Sequence, residues 1–501
     1  MSKPDFGFAQ INANVTIPPY HWVQEYLQEL QLRDPRYQFF IGTLPLSTSH
    51  LLQTVSWKSE SQRFLYSQVS NYLNLVAQTD KTLGGQPGLF VGGLSSGRIG
   101  NIKNEMRSRL SQRVASGLKI SPHFSIHNVV KLDETLRDDP TYTGKKWRGF
   151  AAITEQAYAH LQFDRFSLKF GRDYVRWGRG EDATLLISDE SLPFDHLQLQ
   201  FRTKLLQLTY FAAKLDPFAL PASRTDVIAP QVERYLSGGR LDFHFFNKAL
   251  QIGLSQAVLY AKQGSFELYY LNPFLIYHGE VINNGGIANS FGSFDFLFYP
   301  KSGIAFYGEL LIDDFQVEKA SVVDLEPGEY GYILGGRFAD FAGLNGVTTG
   351  IEYAKVKNRT YNAPELFEQF THRNKPIGHF LGNDFDRWLL QIRKYIGKQL
   401  RVQLQVDLRR HGEGSITAPW DTPWLNSTLN EGYSEPFPTG VVEKSRHFSF
   451  DLRWQPKPFW YVELAGNYSK WENDLNVLGV EKSETEVFLR VWLEWQKFFR
   501  I

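Results

Sequence analysis

The chain of 501 residues contains no cysteine. This absence excludes disulfide frameworks, thiol nucleophiles and thiolate metal sites. It also suits an oxidising cell envelope, where free thiols mispair. An excess of charge of one sign is lacking too, because 54 Lys and Arg residues stand against 53 Asp and Glu residues. No basic stripe is present to follow a phosphate backbone, so nucleic acid is not an expected partner.

Uninterrupted apolar stretches are short throughout, and none approaches the roughly 18 residues that a transmembrane helix requires. The 12 histidines show no H-E-x-x-H spacing, so we predict neither a metal site nor any cofactor. The first seven residues, Met1 to Gly7, are polar. We expect the chain to be a mature form from which a signal peptide has been removed.

What the chain does contain, from about residue 89 onward, is one-by-one alternation of apolar and polar residues over long stretches. This period of two is typical of β-strands with one apolar and one wet face. In the clearest stretch, one face carries Leu400, Val402, Leu404, Val406 and Leu408, and the other carries Arg401, Gln403, Gln405, Asp407 and Arg409. Many such strands, with uniformly polar second faces, favour a barrel with lipid outside and water inside.

Aromatic content supports the same interpretation. Trp, Tyr and Phe number 12, 24 and 39 and make up 15% of the chain. Transmembrane barrels use such residues in girdles at both membrane interfaces. We therefore predict an all-β transmembrane barrel of about 18 antiparallel strands, preceded by a small N-terminal α-helical bundle.

The spacing of the strands predicts short turns at one end of the barrel and long loops at the other. Short turns are expected near 163–164, 247–248, 300–303, 343–346, 397–398 and 456–458. Long loops are expected near 131–148, 177–193, 216–234, 263–288, 317–329, 357–385, 411–444 and 472–483. This alternation requires the LNPF segment, Leu271 to Phe274, to belong to a loop.

The N-terminal region has helical rather than strand periodicity. Pro18 and Pro19 precede a first predicted helix, Ser47 is placed to cap a second, and a third is expected to include Leu65 and Leu73. We divide the chain into residues 1–88, a periplasmic helical bundle, and residues 89–501, an outer-membrane β-barrel.

Four motifs occur in the order found in one known family. They are IPPYHWVQEYLQEL (17–30), FGRDYVRWGRGEDATLLISDESLPFDHL (170–197), YLNPF (270–274), and NKPIGHFLGNDFD (374–386) followed by RRHGEG (409–414). Together they span residues 17–414, and in this combination they resemble the Wzi-type capsule-assembly proteins. The resemblance implies an 18-stranded outer-membrane barrel with an N-terminal helical bundle. It further implies a surface lectin, without catalysis, that holds and organises capsular polysaccharide.

Glycan binding requires aromatic faces that stack on sugar C–H groups, and Arg, Asp or Asn side chains that bind hydroxyl and acidic groups. The predicted external loops supply both. The candidate residues are Arg176, Trp177, Arg179, Asp189, Asn272, Arg373, Asn374, His379, Asp384, Arg410, His411 and Glu413. Expected partners are capsular or other surface polysaccharide, outer-membrane lipid and lipopolysaccharide, and periplasmic export machinery.

Three alternatives remain open. The WGRG and NKPIGHFLG segments could fold back into the lumen and brace the barrel through buried hydrogen bonds. A barrel of this size without a plug could act as a channel for small solutes. His447 and Ser449 share a strand face, as in outer-membrane phospholipases, but alternation places them in the lumen, and a His–Ser pair also needs an orienting group and an oxyanion hole.

Overall fold

In a computed structural model of the chain, the described residues are 15–34, 37, 39–48, 50–51, 65, 67–73, 87–102, 105–136, 139–142, 144–220, 231–262, 266–283, 288–315, 320–397 and 399–500. Most of the chain from residue 87 onward is extended. None of the helices in these ranges is long and apolar enough to span a membrane.

Eighteen long strands form the wall of a closed barrel. In chain order they are β1 (Gly88–Ile102), β2 (Glu105–Lys119), β3 (Phe124–Asp133), β4 (Phe150–Gln162), β5 (Phe166–Asp173), β6 (Phe194–Arg202), β7 (Leu206–Lys214), β8 (Gln231–Phe245), β9 (Leu250–Lys262), β10 (Asn289–Lys301), β11 (Ile304–Asp314), β12 (Glu329–Ala339), β13 (Val347–Val356), β14 (Phe385–Ile396), β15 (Leu400–His411), β16 (Glu443–Lys457), β17 (Trp460–Glu472) and β18 (Glu481–Arg500).

Each strand pairs antiparallel with its neighbours in chain order, and β18 pairs with β1 to close the ring. In the closing pair, Gly88 lies opposite Arg500 and Asn101 lies opposite Val487. The predicted barrel and its strand number are confirmed. Closure removes both sheet edges, so every wall strand has a hydrogen-bonded neighbour on each side.

The two faces of the wall differ as the alternation predicts. On β15, Leu404 and Leu408 are exposed on the outside, whereas Arg401 and Asp407 are buried inside. The outer face therefore presents apolar side chains to the surroundings, and the lumen is lined by polar and charged ones.

Apart from the two-residue connection between β1 and β2 at the loop end, the connections alternate in length, and short turns occur where the six were predicted, although residue 398 of one lies outside the described residues. Turns at 120–123 and 203–205, which the sequence analysis did not identify, belong to the same end of the barrel. We call this end the short-turn end and the opposite one the loop end. The LNPF segment lies in a loop, as predicted, between a 3-10 turn at Tyr269–Leu271 and helix α2 (Tyr277–Asn283), which we number after the N-terminal helix α1 (Trp22–Arg33).

Helix α1 confirms the first predicted helix. It begins after His21, whose imidazole accepts a hydrogen bond from the Val23 N–H, and it ends at Asp34. Residues 67–73 are helical where a third helix was expected, and most of the second predicted helix lies outside the described residues.

Helix α1 lies inside the barrel at the short-turn end. The Gly303 N–H, in a short turn, donates a hydrogen bond to the Leu32 carbonyl oxygen at 2.8 Å. The Glu25 carboxylate contacts Arg401 at 2.8 Å and Arg453 at 3.7 Å, on the inner faces of β15 and β16. These arginines attract the helix into the lumen because Glu25 supplies a counter-charge.

Candidate functional site

The connection between β5 and β6, residues 174–193, folds into the lumen, and we call it the inner loop. Its Arg176 and Trp177 pair as a short antiparallel ladder with Leu44 and Thr43 of the N-terminal segment. The Trp177 ring also packs edge-on against Phe211, with ring centroids 5.2 Å apart. The inner loop and the N-terminal segment thus hold one another inside the barrel.

Arg179 is the most heavily bound side chain of the inner loop. Its guanidinium donates to Asp295 at 2.7 Å and to Gln251 at 3.0 Å, both on the inner face of the wall. Arg240 joins Asp295 to Asp242, so that cations and carboxylates alternate through this cluster. Charges buried in this manner need such partners, because an unpaired one is costly to desolvate.

Glu309 of β11 holds the backbone of the same loop. Its carboxylate accepts hydrogen bonds from the N–H groups of Gly180 at 2.6 Å and Leu185 at 2.8 Å, and also from that of Arg179. Gly178 has a φ of 135°, and a Cβ there would lie 2.5 Å from the Glu309 carboxylate. The close approach of backbone to carboxylate explains why this segment contains glycine.

Arg176, Trp177 and Arg179, which the sequence placed in an external loop, are buried, since 8%, 1% and 5% of their respective surfaces are exposed. The physical reason is the complementary set of wall carboxylates, which binds the inner loop inward. The alternative that the WGRG segment braces the barrel describes what these residues do. Asp189, half-buried, supports the arrangement through an ion pair with Arg176 at 3.2 Å.

His379 and Asp384 are also buried and hold loops together. The His379 ring packs against Phe385, with centroids 4.5 Å apart. Asp384 accepts hydrogen bonds from the N–H groups of Gly414 at 3.0 Å and Thr439 at 3.1 Å. Burial raises the pKa of the Asp384 carboxyl, although hydrogen bonds from Thr439 and Gly414 act to lower it. Asp384 thereby ties the loop 357–384 to the loop 412–442.

The remaining six candidates are at least partly accessible. Asn272, Asn374, Arg410 and Glu413 are exposed, and Arg373 and His411 are half-buried. The structure groups Arg410, His411 and Glu413 at the loop end of β15, and Arg373 and Asn374 in a two-stranded hairpin. Asn272 lies on another loop, where its carboxamide oxygen accepts a hydrogen bond from the Phe274 N–H at 3.1 Å.

One cluster at the loop end was missed, and we call Arg359, Trp420, Asp421, Trp424 and Glu435 the aromatic cap. The Arg359 guanidinium lies 4.7 Å from the Trp424 ring centroid and 5.1 Å from that of Trp420. The same guanidinium pairs with Asp421 at 2.6 Å and Glu435 at 2.9 Å. The APWDTPW segment (418–424) carries the signal that could have identified it, two tryptophans flanking an aspartate.

The charged side chains of the aromatic cap differ in their exposure to solvent. The Arg359 and Glu435 side chains are buried, whereas 74% of the Asp421 side chain is exposed. Trp420 is half-buried. The Arg359 guanidinium therefore holds the half-buried Trp420 indole beside the exposed Asp421 carboxylate. This arrangement is suited to sugar rings and hydroxyls.

The His447 environment offers no support for hydrolysis. Its two ring nitrogens lie 2.8 Å from the Ser469 hydroxyl and 3.0 Å from the Ser445 hydroxyl. No carboxylate orients this imidazole among the hydrogen bonds of the described residues, so the orienting group that a Ser–His mechanism requires is missing from that part of the chain.

An apolar outer wall and a polar lumen, which α1 and the inner loop enter, define a closed transmembrane-type barrel that presents its loops as a surface. The family model described as capsule assembly protein Wzi matches residues 96–486. The chain belongs to this Wzi family of capsule assembly proteins.

Among solved structures, the chain is similar to Wzi, described as an outer membrane protein involved in group 1 capsule assembly in Escherichia coli and as a carbohydrate-binding β-barrel. The TM-score is 0.63 at 15% identity, over 95% of this chain and 99% of that chain. OccD3 (OpdP) of Pseudomonas aeruginosa matches with a TM-score of 0.46 at 12% identity, over 82% of this chain and 92% of that one, which adds nothing to the assignment. A comparison with curated proteins finds no match.

Proposed function

We propose that this protein stands in the bacterial outer membrane and, without catalysis, binds and organises capsular polysaccharide through its loop end. Family membership supports a role in capsule assembly, and the solved relative is described as carbohydrate-binding. The observation that carries the proposal is the aromatic cap, in which Arg359 holds Trp420 and Asp421 at the surface.

The sugar-contacting residues in this proposal are Trp420 and Asp421, together with Asn272, Asn374 and Glu413. The buried candidates act indirectly: Asp384 fixes the two loops that bear the cap, and the inner loop fixes the wall beneath them. Arg410 lies on the outer face of the wall rather than among the loops.

Affinity for one sugar unit need not be high. A millimolar contact corresponds to about 4 kcal/mol. A long repeating polymer that meets several proteins at once multiplies such contacts. The short-turn end faces the periplasm in this proposal, because transmembrane barrels place their short turns there, and it is where export machinery would meet the protein.

The test is retention of detergent-purified protein on immobilised capsular polysaccharide from the source strain. Trp420→Ala removes one stacking contact worth about 1 kcal/mol and should weaken single-site binding about fivefold. Trp147→Ala is the matched control, because Trp147 is 65% exposed on a different loop. Equal retention of the wild type and Trp420→Ala, or an equal loss with Trp147→Ala, contradicts the proposed site.

A further inference from the structure

Five cations lie on the outer face of the wall near the loop end of β13, β15, β16 and β17. These residues, which we call the basic band, are Lys355, Arg410, Lys444, Arg446 and Lys470. Their outward direction follows from the register, since cross-strand partners share a face. Arg446 lies opposite Leu408, and Lys444 lies opposite Arg410. Leu408 is one of the exposed apolar residues of the outer wall.

An aromatic belt lies beneath the basic band, toward the middle of the barrel. Tyr353 and Trp388 are directly opposite one another on β13 and β14, with ring centroids 4.7 Å apart. Phe448 and Tyr468 are opposite one another on β16 and β17, with centroids 6.4 Å apart. Aromatic belts mark the boundary between hydrocarbon and headgroups. The basic band therefore stands at the depth of lipid headgroups.

Positive charge in the basic band is only partly balanced. Arg410 pairs with Asp386, Arg446 pairs with Glu472 at 3.1 Å, and Lys470 pairs with Glu481 at 3.2 Å. Lys444 is exposed, and no ion pair with it is found in the described part of the chain, since Glu472, its cross-strand partner, is bound to Arg446. Like charges directly opposite one another, as Arg410 and Lys444 are, destabilise a strand pair. A bound anion would relieve this repulsion.

Two outward cations near the loop end in another sector of the wall differ from Lys444 in this respect. Arg172 pairs with Asp195 at 2.9 Å through its Nε atom, and Lys214 pairs with Glu233 at 2.7 Å. Each of these cations has its own carboxylate, so neither site offers unbalanced charge. The excess at Lys444 is thus a local property of one sector of the wall.

The basic band also has a concave floor. A depression of about 410 Å³ is bounded by Trp388, Leu408, Arg410, Lys444 and Arg446. It combines the aromatic rings of Trp388 and Tyr353 and an aliphatic side chain with three outward cations, and the Asp386 carboxylate that also lines it is paired with Arg410. A ligand that fits must be anionic at its upper part and apolar below.

We propose that the basic band binds the phosphate groups of an outer-leaflet phosphoglycolipid. Phosphate oxygens accept charge-assisted hydrogen bonds from Arg and Lys, and the acyl chains of the same molecule cover Trp388 and Leu408. The inference rests on the membrane position of the proposed function, but it concerns a different face and a different ligand.

The experiment measures how much lipid A stays bound to the full-length detergent-purified protein after size-exclusion chromatography, by native mass spectrometry. Bis-phosphorylated lipid A is compared with lipid A from which both phosphates have been removed. The wild type should retain the phosphorylated form, and K444Q/R446Q should retain about fivefold less or lower still, because two cationic partners of the phosphate are lost. K214Q is the matched control, since Lys214 is an exposed cation on the same outer wall with its own carboxylate.

Three results overturn the inference. They are unchanged retention by K444Q/R446Q, equal retention of the dephosphorylated lipid, and displacement of lipid A by inorganic phosphate at equal concentration, which would assign the basic band to soluble anions. Heat-modifiable migration on gels verifies that both variants are folded.

Retention on polysaccharide is measured in parallel with the same variants. It should be unchanged, because neither Lys444 nor Arg446 belongs to the aromatic cap. Loss of lipid A with polysaccharide retention intact supports the inference. If the wild type retains lipid A but not polysaccharide, the proposed function fails and the lipid site stands.

Discussion

The buried carboxyl of Glu368 makes the stability of the loop 357–384 depend on pH. It is 4% exposed in the loop 357–384, and its Oε1 atom has no hydrogen-bond partner among the described residues. Burial, with a smaller contribution from Glu365, raises the pKa of Glu368 from 4.5 to about 8. The folded loop therefore favours the protonated carboxyl, so its stability is greatest below the ordinary pKa and is lost as pH rises through about 8.

Glu368→Gln should remove this pH dependence, because a carboxamide stays neutral. We expect hydrogen exchange of residues 361–372, corrected for its intrinsic pH dependence, to accelerate between pH 6 and pH 9 in the wild type but not in the variant. Glu365→Gln, at an exposed position, is the control and should retain most of the acceleration. An equal pH response in wild type and Glu368→Gln would show that Glu368 does not control the loop.

Helix α1 illustrates how one element depends on the charges of another. Burial alone would raise the pKa of Glu25, but Arg393, Arg401 and Arg453 lower it from 4.5 to about 2. The contribution of Glu25 to stability is thus present above about 4.5 and is lost as pH falls through about 2.

Glu25→Gln should loosen α1 at neutral pH, because three arginines lose a shared counter-charge while each keeps another carboxylate on the wall or on α1. We expect a loss of about 1–3 kcal/mol in the local stability of the helix, measured by hydrogen exchange of residues 22–33. Gln28→Ala, which changes a half-buried residue of the same helix without removing charge, should have a smaller effect. Equal exchange in the two variants would contradict the role assigned to Glu25.

The strands and turns of the wall could be predicted from the sequence, whereas the position of the inner loop in the lumen could not. Strand alternation and turn length are local, so β15 and the six short turns could be predicted from neighbouring residues. The inner loop is fixed by distant partners: Arg179 binds Asp295, which is 116 residues away, and Glu309, 130 residues away. A polar loop segment such as WGRG has the same composition whether it binds a sugar or a wall carboxylate.

Parts of the chain enter the lumen of the barrel from both of its ends. Helix α1 enters from the short-turn end, and the inner loop descends to meet Thr43 and Leu44. We expect no steady single-channel current from the detergent-purified protein in a planar bilayer, since a channel needs a continuous aqueous path.

Replacing both Trp177 and Arg179 by Ala should produce brief openings without a stable open state, because α1 remains bound. A general porin in the same bilayer serves as the positive control. A steady wild-type conductance that small sugars block would contradict the closed lumen and favour the solute channel.

The pairing of β1 with β18 has a consequence for assembly. The ring is completed by strands from opposite ends of the wall sequence, and Arg401 and Arg453, each paired with a wall carboxylate, gain a shared second partner in Glu25. The segment that precedes the wall therefore links neighbouring strands, because the Glu25 carboxylate of α1 contacts Arg393 of β14, Arg401 of β15 and Arg453 of β16. A wall expressed without that segment would keep the ion pairs Arg401–Asp451 and Arg453–Glu463 but would lose the carboxylate that contacts neighbouring strands together.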